Sequence, residues 1–123
     1  MAMMTARKRV EGLGSARSGT DHHWKTTISS VALLVIVPMF LFSVAPLLGN
    51  LYTDVQAALG RPFPALSTAL MLIVGFYHFR LGIQMVIEDY VQGTARKVSI
   101  VVMACISYGL MALGLISLAQ IAL

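Results

Sequence analysis

Apolar positions in this chain gather into three long runs. The first extends from Ile28 to Leu48 without a single charge. The second extends from Ala65 to Ile87 and holds His78 and Arg80. The third begins at Val98 and stays uncharged to Leu123. A helix needs about 20 apolar residues to cross a bilayer, and each run is long enough. Backbone groups must find partners within lipid, which leaves helices or a closed barrel. The runs do not alternate strictly, which excludes the barrel. The expected fold is an all-α membrane protein: one anchor domain with three transmembrane helices, at residues 28–48, 65–87 and 98–122.

The polar residues lie between and before the runs. Residues 1–27 hold Arg7, Lys8, Arg9, Glu11, Arg17, Asp21, His22, His23 and Lys25. Residues 49–64 hold Asn50, Asp54, Arg61, Pro62 and Pro64 and read as a loop. Residues 88–97 read as a short polar loop. Pro38 and Pro46 fall within the first span, where neighbouring helices can supply partners for the freed carbonyls. A secretory signal peptide would place its apolar core nearer Met1, so the first span is expected to be kept. The Arg-rich, Ser-containing start also suits a mitochondrial transit peptide, but acidic residues and glycines interrupt it.

Charge sets the orientation. Five Lys and Arg precede the first span, Arg96 and Lys97 lie in the second loop, and Arg61 stands alone in the first. Cytoplasmic segments carry the excess of basic residues. The N-terminus and second loop are therefore expected in the cytoplasm, with the C-terminus on the far side. A bacterial inner membrane is the expected location, and the interrupted transit-like start makes a mitochondrial one the lesser alternative.

Composition sharpens the class. Of 123 residues, 58% are hydrophobic and 11% charged, too greasy for a soluble domain. The net charge of +4 points to the anionic membrane surface before nucleic acid. The single cysteine, Cys105, rules out a disulfide framework and reads as a small buried hydrophobe. The eight methionines fit an adaptable or lipid-facing packing surface.

The chemistry concentrates in the second span. His78 stands ten residues before Glu88, about 15 Å along a helix and near the middle of the apolar layer. An imidazole there needs a partner for each nitrogen. A hydrogen bond to a neighbouring helix is one solution, and haem iron is another, since imidazole is a common axial ligand. Gly75 and Gly82 share the helical face of His78 and leave room for a flat macrocycle or a close helix. Asp89 stands three turns on and about 20° round, with Tyr90 one step further. One stripe thus joins a buried imidazole to a carboxylate and a phenol at the cytoplasmic interface. It suits a redox centre beneath a small amphiphile that takes up protons. Arg80 points about 200° away and is expected to pair with a partner subunit, a bound anion or a lipid head group. Trp24 and Tyr52 read as interface anchors. Tyr108, Gly109 and Gly114 read as packing, and His22 and His23 as interfacial.

The segment from Phe76 to Val91 resembles one family, the smaller hydrophobic membrane anchor subunit of succinate dehydrogenase, respiratory Complex II. Its pattern places Gly, Gln and Asp-Tyr at set distances after a His, as in His78, Gly82, Gln84, Asp89 and Tyr90. The stretches 12–16 and 19–24 resemble the alphaproteobacterial version. The resemblance implies that His78 is an axial ligand to the iron of haem b, with a second ligand from a sister anchor subunit. It also implies that Tyr90 hydrogen-bonds ubiquinone and that Asp89 helps organise that site and its protons. The two anchors would form a six-helix bundle that docks an iron–sulfur subunit and a flavoprotein subunit. This chain would hold quinone and haem without oxidising succinate itself. Two departures stand out. The family usually has Gln-Arg after the Trp, where this chain has Lys25, Thr26 and Thr27, and Thr27 brings no charge. The family often has His after Asp-Tyr-Val, where this chain has Gln92.

Two other classes compete. A small transporter or channel component would line a proton or anion path with His78 and Arg80. A structural assembly subunit would use His78 for packing alone. The absence of charge from the first and third spans argues against the former.

Overall fold

The computed structural model describes residues 5–12 and 19–123, all helical apart from short connections. Leu13, Gly14, Ser15 and Ala16, which contribute to the resemblance, and Arg17 lie outside the described residues. Five helices follow one another: α1 (Ala6–Gly12), α2 (Gly19–Val44), α3 (Tyr52–Leu59), α4 (Pro62–Tyr90) and α5 (Gly93–Ala122). Three are long and apolar enough to cross a membrane. They cover Gly19–Leu47, Pro62–Tyr90 and Gly93–Ala122, with mean hydropathies of 2.5, 1.6 and 2.2.

Local chemistry sets the helix ends. α2 begins nine residues before the first apolar run. Asp21 lies in its first turn, where a carboxylate meets the positive end of the helix dipole, and it pairs with Lys25 one turn on. Pro38 is carried within α2, while Pro46 falls in a 3₁₀ turn, Ala45–Leu47, that closes the helix. Gly49, at φ +84°, then turns the chain in the left-handed region that glycine adopts without strain. Pro62 starts α4 from the first helical position, where its missing N–H costs nothing.

Both expected loops are corrected. Residues 49–64 contain α3, which gives the backbone internal partners over eight residues. The loop expected at 88–97 shrinks to Val91 and Gln92. α4 runs to Tyr90, and α5 starts at Gly93, whose φ of +68° makes the tight reversal. Arg96 and Lys97 therefore lie in the first turns of α5.

α4 is the middle helix. α2 packs along one side of it and α5 along the other, and among the described residues α2 and α5 do not meet. A row of three encloses no lumen. The buried set is correspondingly small: Ile36, Leu81, Ile87 and Leu118, with Ser29, Ser67 and Ser107. Lipid is as apolar as leucine, so close backbone approach and van der Waals contact hold such helices. Small residues stand at the contacts accordingly. The hydroxyls of Ser67 and Ser107 turn back onto the carbonyls of Pro64 and Met103, at 3.0 and 2.7 Å, and need no partner across the interface. At Gly114 a Cβ would lie 3.1 Å from Leu72 Cδ2, so this glycine sets the α4–α5 spacing.

Candidate functional site: a polar stripe on the open face of α4

His78 is held from across the α2–α4 interface. Its Nδ1 lies 2.9 Å from Ser29 Oγ, and Ser29 is only 4% exposed. Of the partners open to this imidazole, the hydrogen bond to a neighbouring helix is present at Nδ1. Among the described residues no hydrogen bond reaches Nε2. The antiparallel register explains the meeting, because Ser29 stands ten residues after the start of α2 and His78 twelve before the end of α4. Asp21 and Lys25 lie two turns and one turn from Ser29.

The remaining stripe residues face away from both neighbours. A Cβ on Gly82 would meet nothing within 4 Å. Phe79, Met85 and Val86 beside it are each about half exposed, and Asp89 and Tyr90 are exposed, Tyr90 at 85%. The stripe from His78 past Gly82 to Asp89 and Tyr90 therefore lies on a face of α4 that neither α2 nor α5 covers. Gly75 lines the rim of that face, where an open apolar groove of about 480 Å³ runs between α4 and α5 past Phe76, Phe79, Met103 and Ile106. Gln84 turns from the stripe and donates from Nε2 to Glu88 Oε1 at 2.9 Å.

Arg80 finds its partner within the chain. Its Cζ stands 5.8 Å from the centroid of the Tyr108 ring on α5, where the π face attracts the guanidinium. Nε is enclosed and lacks a hydrogen-bond partner among the described residues. The aromatic face of Tyr108 is a neighbour of Arg80 that its place in α4 did not reveal. Tyr108 gains a role beyond packing. Cys105 is exposed on the outer surface of α5, contrary to the expected burial, because α5 packs on α4 along one side only. Gly109 is likewise exposed and meets no neighbouring helix.

The segment after Trp24 brings no free cation to the stripe. Lys25 is bound to Asp21, and the hydroxyls of Thr26 and Thr27 donate to the carbonyls of His22 and His23 at 3.0 and 2.9 Å. His22 is partly enclosed, and its Nε2 has no partner among the described residues. Trp24 and Tyr52 are exposed, as anchors are. Gln92 sits exposed at the cap of α5. Among the described residues no three His, Cys, Asp or Glu side chains come together as a metal cluster.

Sequence reasoning missed Ser29. Its signal was a serine pair, Ser29 and Ser30, inside an otherwise apolar run. The span placed at residue 28 put both at the membrane edge, well away from His78.

These features define a class: a three-helix membrane protein whose intramembrane histidine opens onto an uncovered face. Comparison makes the class specific. Residues 1–112 match the family described as the succinate dehydrogenase/fumarate reductase transmembrane subunit. The chain is 45% identical over 123 residues to the succinate dehydrogenase hydrophobic membrane anchor subunit of Paracoccus denitrificans, covering 100% of this chain and 95% of that one. It is 34% identical over 86 residues to the subunit of the same name from Rickettsia bellii, covering 68% of this chain and 66% of that one. No solved structure matches. The chain belongs to the succinate dehydrogenase/fumarate reductase transmembrane subunit family.

Proposed function

We propose that this chain is the small membrane anchor of a succinate:quinone oxidoreductase, that His78 ligates haem b iron through Nε2, and that Tyr90 and Asp89 bind ubiquinone. The observation that carries the reading is the state of His78. Nδ1 is engaged by Ser29 while Nε2 is unbonded on the stripe that ends at Asp89 and Tyr90. The residues fit a haem. An imidazole nitrogen is a normal iron ligand, and the open position at Gly82 leaves space for a macrocycle beside it. Bound there, haem supplies a one-electron redox centre.

The other residues bind and move protons. Reduction of ubiquinone to ubiquinol takes two electrons and two protons. The electrons come from succinate through flavoprotein and iron–sulfur subunits, outside this chain. The Tyr90 hydroxyl donates a hydrogen bond to a quinone carbonyl oxygen. The adjacent Asp89 carboxylate lies at the mouth of the site, where it takes up a proton from the aqueous side and passes it on as charge reaches that oxygen. A sister anchor would cover the open face of α4, bring a second ligand to the haem and complete a six-helix bundle. The N-terminus and the α4–α5 connection face the cytoplasm of a bacterium, and the C-terminus faces the far side of its inner membrane.

The test is a split assay on the assembled complex. Tyr90→Phe removes one hydroxyl and should lower electron transfer from succinate to ubiquinone by about tenfold or more, as loss of about 1.4 kcal/mol of transition-state stabilisation does. Succinate oxidation by an artificial acceptor should persist. Equal loss in both assays would make Tyr90 structural.

A further inference from the structure

Ser29 holds one proton and faces two acceptors. Its Oγ lies 2.9 Å from the Thr26 carbonyl and 2.9 Å from His78 Nδ1. Two proton arrangements satisfy the geometry. In the first, the hydroxyl donates to Thr26 and Nδ1–H donates to Oγ. In the second, the hydroxyl donates to Nδ1 and the ring proton sits on Nε2. Among the described residues nothing accepts from Nε2, so the second arrangement strands an N–H in an apolar layer. A polar N–H left without an acceptor in apolar surroundings is costly. The first arrangement uses every proton and leaves a bare lone pair on Nε2.

From this we infer that Ser29 is a positioning residue for the haem ligand: it fixes the His78 tautomer with Nδ1–H donating to Oγ, orients the ring, and tunes the electron density at Nε2. The inference rests on the proposal that His78 binds haem. Metal-bound histidines commonly give their other N–H to an oxygen, which fixes the tautomer and raises the basicity of the ligating nitrogen. Here the oxygen belongs to a different helix of the same chain, and it is itself anchored, because Ser29 is buried and back-bonded to its own helix. The ring therefore cannot turn without breaking a contact between α2 and α4. A more basic Nε2 favours ferric over ferrous iron, so the Ser29 contact holds the haem potential down.

The experiment uses the assembled complex in its membrane. Ser29→Thr and Ser29→Val have nearly the same shape and differ by a hydroxyl against a methyl, so any packing disturbance is common to both. Ser29→Ala removes the hydroxyl without added bulk. The readouts are haem per assembled complex and the haem midpoint potential by redox titration, neither of which needs turnover. Ala and Val should raise the potential and weaken haem retention by about 10–100-fold, the usual loss for such a partner. Thr should stay close to the wild type. An unchanged potential and haem content in Ala and Val, or a Thr variant displaced as far as Val, would overturn the role of Ser29. A separate variant, His78→Leu, isolates the underlying reading. If its haem band is unaltered in an assembled complex, His78 is not the ligand, and both proposals fall at that step.

Discussion

Ser29 and His78 lie 49 residues apart in the chain and within 2.9 Å of each other in space. Their contact ties the antiparallel α2 and α4 into one register and leaves the second imidazole nitrogen on the uncovered side of α4. Polar residues that serve an intramembrane site usually face a bundle interior. In this chain the stripe instead faces outward, and this open face is where the proposal places the sister anchor.

Gly82 tests that face. A Cβ there meets nothing of this chain within 4 Å, so a larger side chain fits the isolated fold. Gly82→Leu should leave membrane insertion unaffected but block close approach of whatever covers α4. Haem content and recovery of the assembled complex should both fall several-fold, measured by co-purification and pyridine haemochrome. Normal assembly and haem content would mean that the face is covered by lipid.

Gly114 tests the opposite side of α4. A Cβ would press on Leu72 at 3.1 Å, against the flexible end of a side chain. Gly114→Ala should be tolerated after a small adjustment. Gly114→Leu overpacks the α4–α5 contact and should cost about 1–3 kcal/mol, read as a lower thermal midpoint of the complex.

Arg80 and Tyr108 should behave as a pair. A desolvated cation over an aromatic face gains about 2 kcal/mol. Tyr108→Leu leaves the guanidinium without its ring and should lower the thermal midpoint more than Arg80→Met, which removes the charge along with its need for a partner. In the double variant the loss should be smaller than the sum of the singles. Full additivity would show that the two side chains do not interact.

Asp21 and Lys25 predict a small effect. The pair is exposed, at 65% and 51%, and surface pairs one helical turn apart contribute only marginally to stability. Asp21→Asn should shift thermal stability only slightly, and the shift should vanish in high salt.

Much of the architecture was legible in the sequence because a bilayer imposes a simple rule on length and polarity. That rule located three apolar runs and placed His78 inside one of them, and helical periodicity aligned Gly75, Gly82, Asp89 and Tyr90 with it. It located the ends less well. The turns around Gly19 and Gly93 are polar but helical, since a helix satisfies its own backbone in water as well as in lipid, and composition marks the membrane edge rather than the helix end. Relations between helices were not legible at all. Ser29 beside His78, and Tyr108 beneath Arg80, depend on register and on which sides of α4 receive α2 and α5. The exposure of Cys105 has the same origin, since hydropathy does not distinguish a helix face turned toward lipid from one turned toward protein.

The proposed function turns on His78 binding haem iron through the nitrogen that Ser29 leaves free. The most direct test is a reduced-minus-oxidised visible spectrum of membranes carrying the complex, wild type beside His78→Leu, with assembly checked in both. A b-type haem band is expected in the wild type and should be lost or shifted in the variant. An unchanged band in a fully assembled His78→Leu complex would contradict it and leave His78 as a packing residue between α2 and α4.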